Sequence, residues 1–237
     1  MTEVETRLAD IERRIAAACA RVGRDPASVN VLAVTKTLDP EVVQEAVAAG
    51  LSVFGESRVQ EARQKIPQCP ANLHWHYIGH LQTNKARETV RLFEMIHAVD
   101  SLRLLEALDR VAQEEGRTLP VCLEVNVSGE RSKYGMTPEE MPAVLAKAAA
   151  LFRVQIAGLM TIPPIAEDPE EARPFFRKLR ELRDRWQGET GLPLAELSMG
   201  MSHDFEIAVE EGATWVRVGT LLFGPRKKKV THDPDEH

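Results

Sequence analysis

Cysteine is scarce, aromatic residues are few, and long apolar runs are missing. Cys19, Cys69 and Cys122 are scattered, odd in number and form no CxxC pair. A disulfide framework is therefore not expected, and reduced thiols suit a cytoplasmic location. No stretch approaches the ~20 apolar residues that a membrane span needs. The opening segment, MTEVETRLADIERRIAAACARVG, is charged and amphipathic and lacks the apolar core of a secretion signal. Positive charge is not in excess either: 30 basic residues face 36 acidic ones, for a net charge of -6. That balance argues against general nucleic-acid binding, which needs a basic field. Lys227–Lys229 is too short a run to alter this. Low-complexity blocks and composition shifts are also absent. Residues 1–224 are accordingly read as one domain, and 225–237 as a charged, mobile tail.

What the chain does have is alternation. Its 237 residues, 43% of them hydrophobic, can bury a sizeable core. Strand-like stretches occur as NVLAVTK, LSVFGES, HWHYIGHL, MIHAVDS, VCLEVNVS, IAGLMTI, ELSMGMS and WVRVGTLL. Each is followed by a helical or polar stretch, the rhythm of a single-domain (β/α)8 TIM barrel of the α/β class. Helices are expected over 40–49, 101–115 and 169–186, with Gly116 and Gly188 as stops. An extra helix over 3–22 precedes the first strand. An open doubly wound sheet is the rival, but the similar length and helical partner of every strand favour the barrel.

Active sites in such barrels lie at the C-terminal ends of the strands. Strand one ends on Lys36, an odd residue for a buried strand unless it reaches a carboxylate or a ligand. Strand seven runs into SMGMSHD, where Ser202 is placed to cap the following helix. Strand eight runs into VGTLLFG, where Gly219 and Thr220 stand at a short helix start. Singly, these are ordinary caps; on neighbouring strand ends, their hydroxyls and free amides make an anion cradle. Strand one adjoins strand eight in a closed barrel, so Lys36 would face that cradle. A ligand with an electrophilic carbonyl and a phosphate would span the gap. Pyridoxal 5'-phosphate (PLP) fits, its aldehyde forming a Schiff base with lysine. A structural ion pair is the other account of Lys36. Arg217 shares a strand face with Trp215 and Gly219. It could donate to the pyridine nitrogen, leaving that nitrogen unprotonated, or pair with a barrel carboxylate such as Glu124. His74, His76 and His80 lack the companions of a zinc site, and no metal is expected.

The segments VLAVTKT, FGESRVQEA, WHYIGHLQTNK, VNVSGERSKYGM, GLMTIPP and LSMGMSHDFEIAVEEGATWVRVGTLLFG resemble the YggS/PROSC family of pyridoxal phosphate homeostasis proteins. The resemblance runs from Ala9 to Gly224. It implies a fold-type III PLP-binding barrel, similar to the N-terminal domain of alanine racemases. It also implies PLP on Lys36, phosphate contacts from Ser202, Gly219 and Thr220, Arg217 at the ring nitrogen, and Met199 near the cofactor. One departure stands out: Ser57 occupies a position where the family usually has asparagine, so any contact of that amide is in question. Two functions follow. One is a cytoplasmic, non-catalytic PLP-binding protein, expected as a monomer, that serves PLP homeostasis and exchanges PLP with amino acids or PLP-dependent apoenzymes. The alternative is an amino-acid racemase or related fold-type III enzyme. Racemisation needs a second acid/base group on the opposite ring face. Only Tyr77 and Tyr134 are available as tyrosines, neither with an evident activating partner, so no catalytic residue is assigned.

Overall fold

The computed structural model describes residues 1–225, so residues 226–237 of the expected tail lie outside the described residues. Eight parallel strands close into a barrel in sequence order. They are β1 (Asn30–Val34), β2 (Val53–Glu56), β3 (His74–Tyr77), β4 (Met95–Val99), β5 (Leu119–Glu124), β6 (Val154–Met160), β7 (Glu196–Met201) and β8 (Trp215–Val218). Closure is made by β8 on β1, with Ala33 paired to Val218. The ladder shifts register between β4 and β5, β5 and β6, and β7 and β8.

Among the described residues nine α-helices surround or precede the strands: α1 (Glu3–Arg21), α2 (Pro40–Ala48), α3 (Val59–Lys65), α4 (Ala86–Leu92), α5 (Leu102–Glu114), α6 (Met141–Ala148), α7 (Arg173–Thr190), α8 (Phe205–Glu210) and α9 (Thr220–Phe223). Helix α1 begins at a capping box. Thr2 Oγ1 accepts the Glu5 amide at 3.2 Å, and the Glu5 carboxylate accepts the Thr2 amide at 2.6 Å. Its residues Val4, Leu8, Ile11, Ile15 and Ala18 recur at helical spacing and are buried. They pack this extra helix against α8 and α9 on the outside of the barrel. Gly116 does follow α5, at φ 66°. Gly188, however, lies within α7, which ends instead at left-handed Gly191. A glycine is tolerated inside a helix already fixed by Phe176, Leu179, Leu182 and Trp186 on its buried face.

Residues on the outer faces of the strands meet the helices in one continuous apolar layer that includes Phe54, Ile96, Leu123, Leu159, Leu197 and Val216. The lumen differs. Contacts between strands that are not neighbours in the barrel pass through it. There the His76 ring of β3 meets Trp215 of β8 with centroids 4.9 Å apart, and His97 of β4 bonds Ser198 of β7 at 2.7 Å.

Candidate functional site

At the C-terminal rim, β1 ends at Val34, and Lys36 stands just beyond it in a turn rather than on the strand. The β1–β8 ladder ends with Ala33 paired to Val218, so the Lys36 turn and the Gly219–Thr220 segment follow neighbouring strands. Ser202 does not cap the helix that follows it. Asp204 is the N-cap of α8, and its carboxylate accepts the Met201 amide at 2.6 Å. Ser202 Oγ instead reaches the next strand's loop, accepting the Gly219 amide at 3.3 Å and the Leu221 amide at 3.2 Å. Two backbone N–H groups converging on one oxygen are the donor geometry that an oxyanion requires. Gly219, not Thr220, is the N-cap of α9. Thr220 is its first residue and is exposed, so its hydroxyl lies open at the same rim. Gly200 makes the approach feasible. It adopts φ +89°, and a Cβ there would meet the Ala208 Cβ at 2.5 Å, so the end of β7 lies directly on α8.

Below this rim the interior mixes polar side chains with a small apolar cluster of Met95, Ala98, Cys122 and Met160. Arg217 is buried and forms no ion pair with Glu124; its guanidinium donates to the Ser198 carbonyl (2.7 Å), the Ser198 hydroxyl (2.8 Å) and the Thr161 carbonyl (3.0 Å). Burial lowers its pKa, while Asp204 and then Glu124 pull it back upward. His97 Nδ1 meets the same Ser198 hydroxyl, and its Nε2 meets His76 Nδ1 at 3.0 Å. Burial holds both histidines neutral, His76 at about 4 and His97 well below its ordinary value. Glu124 ends β5 buried, and burial followed by the Asp100 charge pushes its carboxyl up to about 7. Sequence reasoning did not find the His97–Ser198–Arg217 chain; its members sit on three strands and no local spacing links them.

The other sequence candidates fall outside the lumen. Met199 is fully buried and packs in the apolar layer with Leu197 and Val218, on the face opposite Ser198, so its side chain supports the loop from the helix side. Tyr77 is also in that layer. Its hydroxyl lies 3.1 Å from the Ser57 and His80 carbonyls, its ring packs edge-on against Phe93, and burial pushes its pKa up to about 12. Tyr134 is 59% exposed and stacks on His80 at 4.1 Å, while His80 Nδ1 bonds Asp100 at 2.7 Å. Ser57 is half-buried at the end of β2. A Cβ on Gly79 would come within 2.3 Å of its carbonyl oxygen, so the backbones after β2 and β3 touch there. His74 pairs with Glu94 at 2.7 Å and is exposed. Among the described residues no cluster of three or more His, Cys, Asp or Glu could hold a metal ion. Nor is any of their helices long and apolar enough to cross a membrane.

Fold and rim together define a class: (β/α)8 barrels with a lysine turn after the first strand and, after the last two, a serine hydroxyl that accepts two backbone amides. Residues 7–227 match the family model described as alanine racemase, N-terminal domain. The "Pyridoxal phosphate homeostasis protein" of Aquifex aeolicus is 47% identical over 222 residues, covering 93% of this chain and 97% of that protein. Its Pseudomonas aeruginosa counterpart of the same name is 43% identical over 227 residues, covering 95% and 97%. PipY of Synechococcus elongatus, solved with PLP bound, superposes with a TM-score of 0.82 at 41% identity, covering 93% of this chain and all of that one. Alanine racemase of Clostridium difficile shares the fold alone, at 15% identity and a TM-score of 0.71, with 62% of that chain covered. The chain belongs to the pyridoxal phosphate homeostasis protein family, within the alanine racemase N-terminal domain fold.

Proposed function

We propose that this protein binds PLP covalently through Lys36 and holds it as a non-catalytic cytoplasmic carrier in PLP homeostasis. It acts as a monomer that yields PLP to apoenzymes or amino acids, with residues 1–224 as the binding barrel and 225–237 as a tail. The observation that carries this reading is the Ser202 hydroxyl with two amides aimed at it, in the loops after β7 and β8, with β8 paired to the strand that precedes Lys36. The donor set fits a phosphate: the Gly219 and Leu221 amides would turn to it, with the Ser202 and Thr220 hydroxyls as further donors. When bound, PLP supplies an aldehyde that condenses with a lysine amine and releases water. Arg217 supplies a fixed positive charge for the ring nitrogen and disfavours its protonation. Met199 backs the loop without reaching the lumen.

The absence of strong catalysis rests on the tyrosines. Tyr77 is turned into the outer layer with its hydroxyl tied to carbonyls, and Tyr134 lies on His80 at the surface. Neither supplies the opposed acid/base group that racemisation needs. The test has two parts. Borohydride reduction of the PLP-loaded protein should fix the adduct on Lys36, and Lys36→Ala should abolish it; an adduct on Lys85 or Lys133 instead would reject the assignment. In D₂O, alanine and serine should exchange their α-protons slowly. Lys36-dependent exchange at about 1 per second or faster, the lower edge of ordinary enzyme rates, would make the protein an enzyme.

A further inference from the structure

The turn that carries Lys36 is gripped from outside the rim by α3. Residues Thr35 to Leu38 close a tight turn through the Leu38 amide and the Thr35 carbonyl at 3.0 Å. Within it Thr37 adopts φ 66°, a left-handed conformation that a β-branched residue takes only under constraint. The constraint comes from two residues of α3. Glu61 accepts the Thr37 amide at 3.0 Å. One helical turn later, Lys65 Nζ donates to the Thr35 carbonyl at 2.7 Å and to Glu56 Oε1 at 2.6 Å. The same carboxylate oxygen accepts the Thr35 hydroxyl at 2.7 Å. Glu61 and Lys65 are four residues apart and so share a helix face. Between them they hold the residues on both sides of Lys36.

Stability alone is a poor account of this arrangement. Thr35, Glu56 and Lys65 are all buried, and Glu56 Oε2 has no hydrogen-bond partner. Burial raises the Glu56 pKa against the pull of Lys65. A buried ion pair is commonly no better for stability than apolar residues of the same volume. What this pair does have is a geometric output, delivered to a single strained turn.

We propose that Glu56, Glu61 and Lys65 are positioning residues: acting through the Thr35–Leu38 turn, they aim the Lys36 amine for covalent capture of PLP. This rests on the reading that Lys36 carries PLP. Misaimed by an ångström or so, a reacting group loses up to about a hundredfold in rate, so the signature is kinetic. Two variants test it: Glu61→Ala, at a solvent-facing bond, and Glu56→Gln/Lys65→Met, which removes both buried charges together. Each is mixed with PLP, and the rate of borohydride-trappable adduct at Lys36 is followed. Pyridoxine 5'-phosphate, which has no aldehyde, reports the phosphate site by titration of the same apo-proteins. The expected result is capture slowed about tenfold or more, with pyridoxine 5'-phosphate affinity within twofold of the parent protein. Unchanged capture rates in Glu61→Ala would overturn the clamp. So would equal losses of both ligands, which would mark these residues as general scaffolding. If the parent protein itself yields no adduct at Lys36, the Lys36 reading fails first, before any variant is compared.

Discussion

Two regions built from the same strands differ in what they bury. The layer between barrel and helices is apolar and continuous, with Phe54, Phe93, Phe176 and Trp186 fully buried. The lumen buries His76, His97, Glu124, Ser198 and Arg217 instead. Removing apolar surface from water stabilises the fold, whereas withdrawing ionisable groups from water opposes it unless each is matched. The outer layer therefore holds the protein together, and the lumen spends part of that stability on a chemically prepared interior.

Substitution in the outer layer should give the largest effect. Phe176→Ala should cost about 3–5 kcal/mol in urea unfolding of the apo-protein, with the ratio of PLP to pyridoxal affinity unchanged in the folded fraction. A shift in that ratio would break the separation between the two regions.

The lumen predicts a pH signature. His76 falls from 6.5 to about 4 on folding because burial disfavours its charged form. The unfolded chain thus binds more protons between those values. The stability from keeping His76 neutral is present above pH 6.5 and is lost as pH falls toward 4, a loss of about 3 kcal/mol. Glu124 runs the other way. Its carboxyl rises from 4.5 to about 7, so its contribution is present below pH 4.5 and is lost as pH rises to 7, again by about 3 kcal/mol. Between pH 4.5 and 6.5 the two slopes offset each other. His76→Gln should therefore expose stability that declines with rising pH, and Glu124→Gln stability that climbs. Stability curves from urea melts across pH 4–8 measure both; parallel curves for the two variants would contradict opposite titration shifts of His76 and Glu124.

A smaller effect should come from the rim. Ser202→Ala removes the acceptor shared by the Gly219 and Leu221 amides. Combined with Thr220→Ala, it should weaken PLP retention by about 1.5–3 kcal/mol per lost phosphate contact and leave pyridoxal retention nearly unchanged, as read by equilibrium dialysis. Equal losses for both would remove the phosphate role from this loop pair.

Much of this layout was legible in the chain. Eight apolar runs with helical partners predicted the barrel, and a lysine past the first run, with Ser202 and Gly219 near the last two, pointed to the rim. Ser202 was expected to cap α8; its hydroxyl does accept helix-end amides, but those of α9, while Asp204 takes the N-cap position of α8. Partner choices of this sort depend on strand register, which closure sets. The same limit hid His97 and Ser198, bonded across 101 residues. Alternation could not rescue Met199 either, since nothing local said which face of β7 looked inward. Glu61 and Lys65 read as an ordinary charged helix face; only the strained Thr37 reveals what they hold.

The seam between β1 and β8 also has a temporal meaning. Lys36 leaves the ribosome early, whereas Ser202, Gly219 and Thr220 leave near the end, and the barrel cannot close before β8 pairs with β1. A nascent chain therefore contains Lys36 long before it contains the loops after β7 and β8. Loop closure over so many residues delays that last pairing further. On the proposed reading of the site, ligand capture would require the eighth strand: a chain ending before it would carry Lys36 without Gly219 and Thr220.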